Sequence, residues 1–87
     1  MLGLFFTASW CSACRAMHPI IAKLKNEGYS ITEIDVDKEK EKAEKYAITS
    51  LPTVVVLQNT KIIKRFVGKT TEEELKKVPT KNDYQIW

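Results

Sequence analysis

The feature that most limits what this chain can fold into is a change of period: a short apolar run, Gly3 to Thr7, opens within a few residues onto a segment patterned as a helix. The run is continuous and aromatic-rich, as in a strand covered on both faces. From Ser12 to about Asn26 the apolar positions Ala16, Met17, Ile20, Ile21 and Leu24 recur at helical spacing. Gly28 stands where a C-terminal cap belongs, and Pro19, inside the pattern, is expected to kink the helix. Ile31 to Val36 is β-branched and alternating, a second strand. The Lys and Glu run from Lys38 to Lys45 reads as a solvated helix, anchored by Tyr46, Ala47 and Ile48. Thr53 to Leu57 and Ile62 to Val67 flank polar residues centred on Asn59 and Thr60, the pattern of a hairpin, and Gly68 ends its second strand. Thr70 or Thr71 caps a last helix that carries Glu72, Glu73 and Glu74 in its first turn and that Pro79 stops. Thr80 to Trp87 is read as a tail. The order β-α-β-α-β-β-α predicts an α/β fold of three layers around a mixed four-stranded sheet, in one domain over residues 1–87.

Composition narrows the function classes. With 87 residues, 44% hydrophobic and 29% charged, the chain supports one core and one site. The net charge of +3 arises from 14 basic and 11 acidic residues spread along the chain, without the basic block of a nucleic-acid binder. Met1 to Phe6 is too short for a secretory apolar region and has no basic residue before it. No stretch approaches the ~18 to 20 apolar residues that cross a bilayer. The expectation is a monomer of the cytoplasm that engages neither nucleic acid nor membrane.

The chemistry lies in Cys11 and Cys14. A bridge across two intervening residues is a poor staple, because closing so short a loop constrains the unfolded chain very little. Redox cycling and metal binding are the remaining uses of such a pair in a reducing compartment. Disulfide exchange needs a thiolate and a second thiol to release the mixed disulfide. Cys11 sits where loop becomes helix, so unpaired backbone N–H groups and the helix dipole favour its thiolate. Cys14, one turn further in, is expected to be buried and to resolve. A zinc site on Cys11, Cys14 and His18 lacks a fourth ligand, since there is no second CxxC and no other histidine. Iron-sulfur ligation between two chains is weaker still. Arg15 and Lys69 add positive potential near the pair and are read mainly as surface residues.

The segment Phe6-Thr-Ala-Ser-Trp10-Cys11-Ser-Ala-Cys14-Arg15, followed by Pro19, resembles the active-site segment of thioredoxins. Leu51-Pro52-Thr53 is similar to that family's cis-proline loop, and Phe66-Val67-Gly68 to the glycine after its last strand, so the resemblance spans about Gly3 to Lys77. It implies a protein disulfide oxidoreductase without an organic cofactor, acting on disulfide-containing proteins. An external reductant, thioredoxin reductase or the glutathione system, would restore the dithiol. By the same resemblance Pro52 is cis and faces the cysteines, Ser50 and Leu51 present backbone groups to an extended substrate, and Trp10, Pro52 and Gly68 form an apolar docking surface. A glutaredoxin-type reductase and a non-catalytic binding module of the same fold are the alternatives.

The sequence departs from the family in four places. Met1 lies just before what would be the central strand, so the family's first strand and helix are expected to be missing. Ser12-Ala13 replaces Gly-Pro. Phe5 stands where a buried aspartate is expected, six residues before the first cysteine, and Glu33 stands where the neighbouring strand usually carries lysine. Glu33 is therefore the candidate proton acceptor for Cys14, as a carboxylate beside the sheet.

Overall fold

The computed structural model describes residues 2–59 and 61–76. The apolar run becomes β1 (Leu2–Thr7), buried from Gly3 onward on both faces. It pairs in parallel with β2 (Ile31–Asp35) and antiparallel with β3 (Thr53–Gln58), which pairs antiparallel with β4 (Lys61–Val67). The sheet order is β2-β1-β3-β4, mixed and four-stranded. Among the described residues three helices join or follow the strands: α1 (Ser12–Asn26), α2 (Lys40–Lys45) and α3 (Glu72–Lys76). Thr60 in the hairpin turn, the stop at Pro79 and the tail from Thr80 lie outside the described residues.

Alternation along the strands builds two cores. Phe5, Val54 and Val56 face α1, where Cys14, Met17, Ile21 and Leu24 form its buried stripe, and Leu75 of α3 closes that layer. Leu4, Phe6, Ile34, Val55 and Leu57 fill the opposite face, against Val36, Tyr46, Ile48 and Leu51. None of the described helices is long and apolar enough to cross a membrane.

Helix ends follow their residues. Pro19 is accommodated within the continuous helix α1. After the cap Glu27, Gly28 takes φ +99°, its N–H reaches the Lys25 carbonyl, and the Tyr29 N–H reaches that of Leu24, a Schellman closure. Of the two candidate caps for α3, Thr71 acts: its Oγ1 accepts the Glu74 N–H at 3.2 Å.

The same closure after α2 falls on a residue unsuited to it. Ala47 holds φ +54°, with its N–H on the Glu44 carbonyl and the Ile48 N–H on that of Ala43. A Cβ in this left-handed region meets the following carbonyl. Ala47→Gly relieves that clash and gives back part of the gain through a freer unfolded chain, so a net stabilisation of about 1 kcal/mol is expected. For a domain of this size that raises the melting temperature by roughly 4–8 °C; a calorimetric scan showing no rise contradicts it.

A charged network ties α1 to α3. Lys76 Nζ lies 2.9 Å from Glu72 and 3.1 Å from Glu27, and Lys23 Nζ reaches Glu72 at 3.1 Å. Lys76, and then Lys23, hold the Glu72 carboxyl below its ordinary 4.5, while Glu72 and Glu27 push Lys76 above its usual range. A carboxyl depressed in the fold stabilises above its unfolded value and loses that contribution as pH falls through the folded one. Glu72→Gln should therefore lower the melting temperature slightly at pH 7, by an amount that shrinks in high salt and vanishes in acid below the folded value. A difference independent of pH and salt contradicts this account.

Candidate active site

Parallel pairing of β1 with β2 brings their C-terminal ends to one edge of the sheet, and the chain leaves β1 there to enter α1. Cys11 is the N-cap of α1, in extended conformation (φ −90°, ψ +107°), a state that ends the strand and starts the helix. Its Sγ accepts the Cys14 backbone N–H at 3.1 Å, its own N–H donates to the Ala8 carbonyl at 3.2 Å, and its carbonyl accepts from Arg15 N–H at 3.3 Å. Cys11 and Cys14 are disulfide-bonded, with their Cα atoms 5.3 Å apart. The two sulfurs are unequal in access: Cys11 is 7% exposed, whereas Cys14 is wholly buried beneath the first turn.

A cavity of about 280 Å³ opens beside Cys11, lined by Trp10, Ser50, Leu51, Val36, Ile48 and Thr49. It brings together Trp10, Ser50 and Leu51 with the outer cysteine. Trp10 is 66% exposed, and its Nε1–H donates to Asp37 Oδ2 at 2.7 Å. Asp37 is in turn fixed by its N–H on Asp35 Oδ1 at 2.9 Å. The Leu51–Pro52 peptide bond is cis. Pro52 itself is fully buried, so its ring is no part of the exposed lining; its carbonyl accepts the Gly68 N–H at 2.7 Å. Gly68 has φ +88° and open space where a Cβ would stand, and Val67 beside it is 64% exposed. The more voluminous cavity, about 830 Å³, lies at the far end of the strands near Leu2, Leu57 and Ile62 and contains neither cysteine.

Register opposes Glu33 to Phe5 on the α1 face of the sheet. There its carboxylate meets Nδ1 of His18 at 3.1 Å and Nζ of Lys25 at 3.0 Å, half exposed at the rim, and its partners include no sulfur. Phe5, wholly buried, fills the space beneath the cysteines instead and meets the His18 ring edge-on at 5.4 Å between centroids. His18 is thus drawn to Glu33 and Thr7, and among the described residues no three His, Cys, Asp or Glu side chains are placed to hold a metal ion. Reading the sequence alone missed Asp37, Val36, Ile48 and Val67 at the site. One signal for Asp37 was present, since a residue just past β2 lies beside the end of β1 whenever the two strands run parallel.

The thioredoxin family model matches residues 3–81. A thioredoxin H-type of Fagopyrum esculentum is 36% identical over 80 residues, covering 90% of this chain and 69% of that protein. A thioredoxin of Bacillus subtilis is 34% identical over 80 residues, covering 88% and 77%. Among solved structures, Fasciola hepatica thioredoxin superposes with a TM-score of 0.80 at 33% identity, over 87% of this chain and 74% of that one. Reduced Schistosoma mansoni thioredoxin gives 0.81 at 27% identity, over 87% and 72%. Since the family model spans nearly all of the chain and relatives more than 30% identical are covered over two thirds of their length or more, the chain belongs to the thioredoxin family.

Proposed function

We propose that this chain is a thiol-disulfide oxidoreductase of the thioredoxin type that reduces protein disulfides by cycling Cys11 and Cys14. The observation that carries the reading is the asymmetry of the pair: one sulfur caps a helix at the wall of a cavity, and its partner is buried one turn away. In the dithiol, the Cys14 N–H and the helix terminus stabilise negative charge on the Cys11 sulfur. That thiolate attacks a substrate disulfide, forming a mixed disulfide and releasing one substrate thiolate. Cys14 then attacks the Cys11 sulfur, the second substrate thiolate leaves with the bonding pair, and the bridge remains; two electrons have passed to the substrate.

Trp10, Ser50 and Leu51 receive the segment around the substrate disulfide, with Pro52 and Gly68 shaping the backbone beneath them. Glu33, having no contact with sulfur, assists the loss of the Cys14 proton through its neighbour His18. The chemistry needs no organic cofactor. The reductant is a flavoprotein thioredoxin reductase, a choice supported by relatives that are themselves thioredoxins. The reading is of a single domain, acting as a monomer in the cytoplasm on proteins rather than on nucleic acid or membranes.

Reduction of insulin by dithiothreitol tests this. The protein is expected to hasten insulin precipitation, and NADPH with thioredoxin reductase is expected to replace dithiothreitol where glutathione with glutathione reductase does not. No acceleration with any of these reductants overturns the reading.

A further inference from the structure

We propose that His18 is the proton exit for Cys14, held for that task by Glu33; this rests on the oxidoreductase reading and names a further residue of that reaction. Cys14 must lose a proton to attack, yet it is wholly buried among Phe5, Ala8, Met17, Ile21 and Val54, none of which accepts one. Among the described residues the buried polar side chains are Thr7 and Thr53. Thr53 is occupied, its hydroxyl donating to the Ser50 carbonyl at 2.6 Å. Thr7, at the end of β1 beside Ala8, instead has Oγ1 3.4 Å from Nε2 of His18. His18 stands one helical turn beyond Cys14, on the same side of α1.

Glu33 makes this histidine directional. Its carboxylate accepts from Nδ1 at 3.1 Å, so in the neutral ring Nε2 is the acceptor and faces the Thr7 hydroxyl. The ring is 42% exposed and lines a cavity of about 270 Å³ with Thr7, Ala8, Ser9, Glu33 and Asp35, so a proton taken up inside is released to water outside. The charged groups facing the ring are Glu33 and Asp35 on the side of β2, with Lys25 of α1 on the other Glu33 oxygen; β1 contributes Phe5 and Thr7, which are uncharged.

In the resolving step the Cys14–Cys11 bond forms and the bond from Cys11 to the substrate sulfur breaks, its electron pair going to the substrate. The Cys14 proton passes by way of Thr7 to Nε2, the imidazolium is balanced by Glu33, and the ring returns its proton to solvent, from which the substrate thiolate is protonated.

Mixing the reduced protein with one equivalent of Ellman's reagent in a stopped-flow instrument separates the two steps. Attack by Cys11 releases one thionitrobenzoate, and resolution by Cys14 releases the second. His18→Gln should leave the first phase unchanged and slow the second at neutral pH on the order of a hundredfold, as removal of a general base does. Glu33→Gln and Thr7→Val should slow the same phase without altering the first. A second phase in His18→Gln within about twofold of wild type overturns the proposal. Should that variant not fold, unchanged second phases in both Glu33→Gln and Thr7→Val overturn it equally. A wild-type protein that releases only one thionitrobenzoate refutes the oxidoreductase reading instead.

Discussion

Cys11→Ser is expected to reduce insulin reduction to the uncatalysed background, a loss of at least about a thousandfold, because the attacking group of a cooperating pair cannot be replaced by its partner. Access decides which sulfur matters. Cys11 reaches the cavity wall, while Cys14 has no exposed surface, so a substrate disulfide meets only the first. Cys14→Ser separates the roles: attack proceeds, resolution does not, and the substrate remains covalently held as an adduct visible by mass spectrometry and lost on adding dithiothreitol. Cys11→Ser with most of its activity intact, or Cys14→Ser that captures nothing, reverses the assignment.

The second large effect is on stability. Phe5 is wholly buried in the centre of the sheet, packed with Cys14 and Met17 on one face and edge-on to His18. Truncation by Phe5→Ala removes that contact area and leaves a cavity, so about 3–5 kcal/mol is expected to be lost in guanidinium unfolding. At roughly 4–8 °C per kcal/mol for a small domain, the melting temperature is expected to fall by tens of degrees. Phe5→Asp loses the same packing and adds a buried carboxyl. Burial disfavours its ionised form, so the folded state holds the proton more tightly than the unfolded one. The penalty is then smallest below the unfolded value near 3.9 and grows as pH rises toward the folded value. A Phe5→Ala protein within about 1 kcal/mol of wild type shows instead that the two cores collapse to fill the gap.

Much of this was legible in the residues because each pattern had one cause. The continuous run of β1, the helical stripe with Gly28 behind α1, and the apolar run of β3 each signal burial, and each lies within one or two residues of its expected bounds. The fit is poorer for α2, which begins at Lys40 rather than Lys38. It buries none of its residues, and its N-cap Glu39 makes no side-chain cap bond, so nothing in its sequence marks the start. Cys11 and Cys14 announce themselves by spacing and type, and Trp10 by the family resemblance of the segment around them. The relation of Glu33 to its surroundings does not, since it depends on the β1–β2 register and on a histidine one helical turn past Cys14. Pro52 shows a different limit: its place in the chain is readable, but whether its ring faces out or in is set by packing.

In the proposed cycle the sulfur that caps α1 is also the atom that reacts, and this ties backbone order to oxidation state. A charged acceptor holds the Cys14 amide more firmly than a neutral one. The opening turn should then be most protected from deuterium exchange in the thiolate form and loosest while cargo is attached, so the helix end itself registers where the protein stands in its cycle.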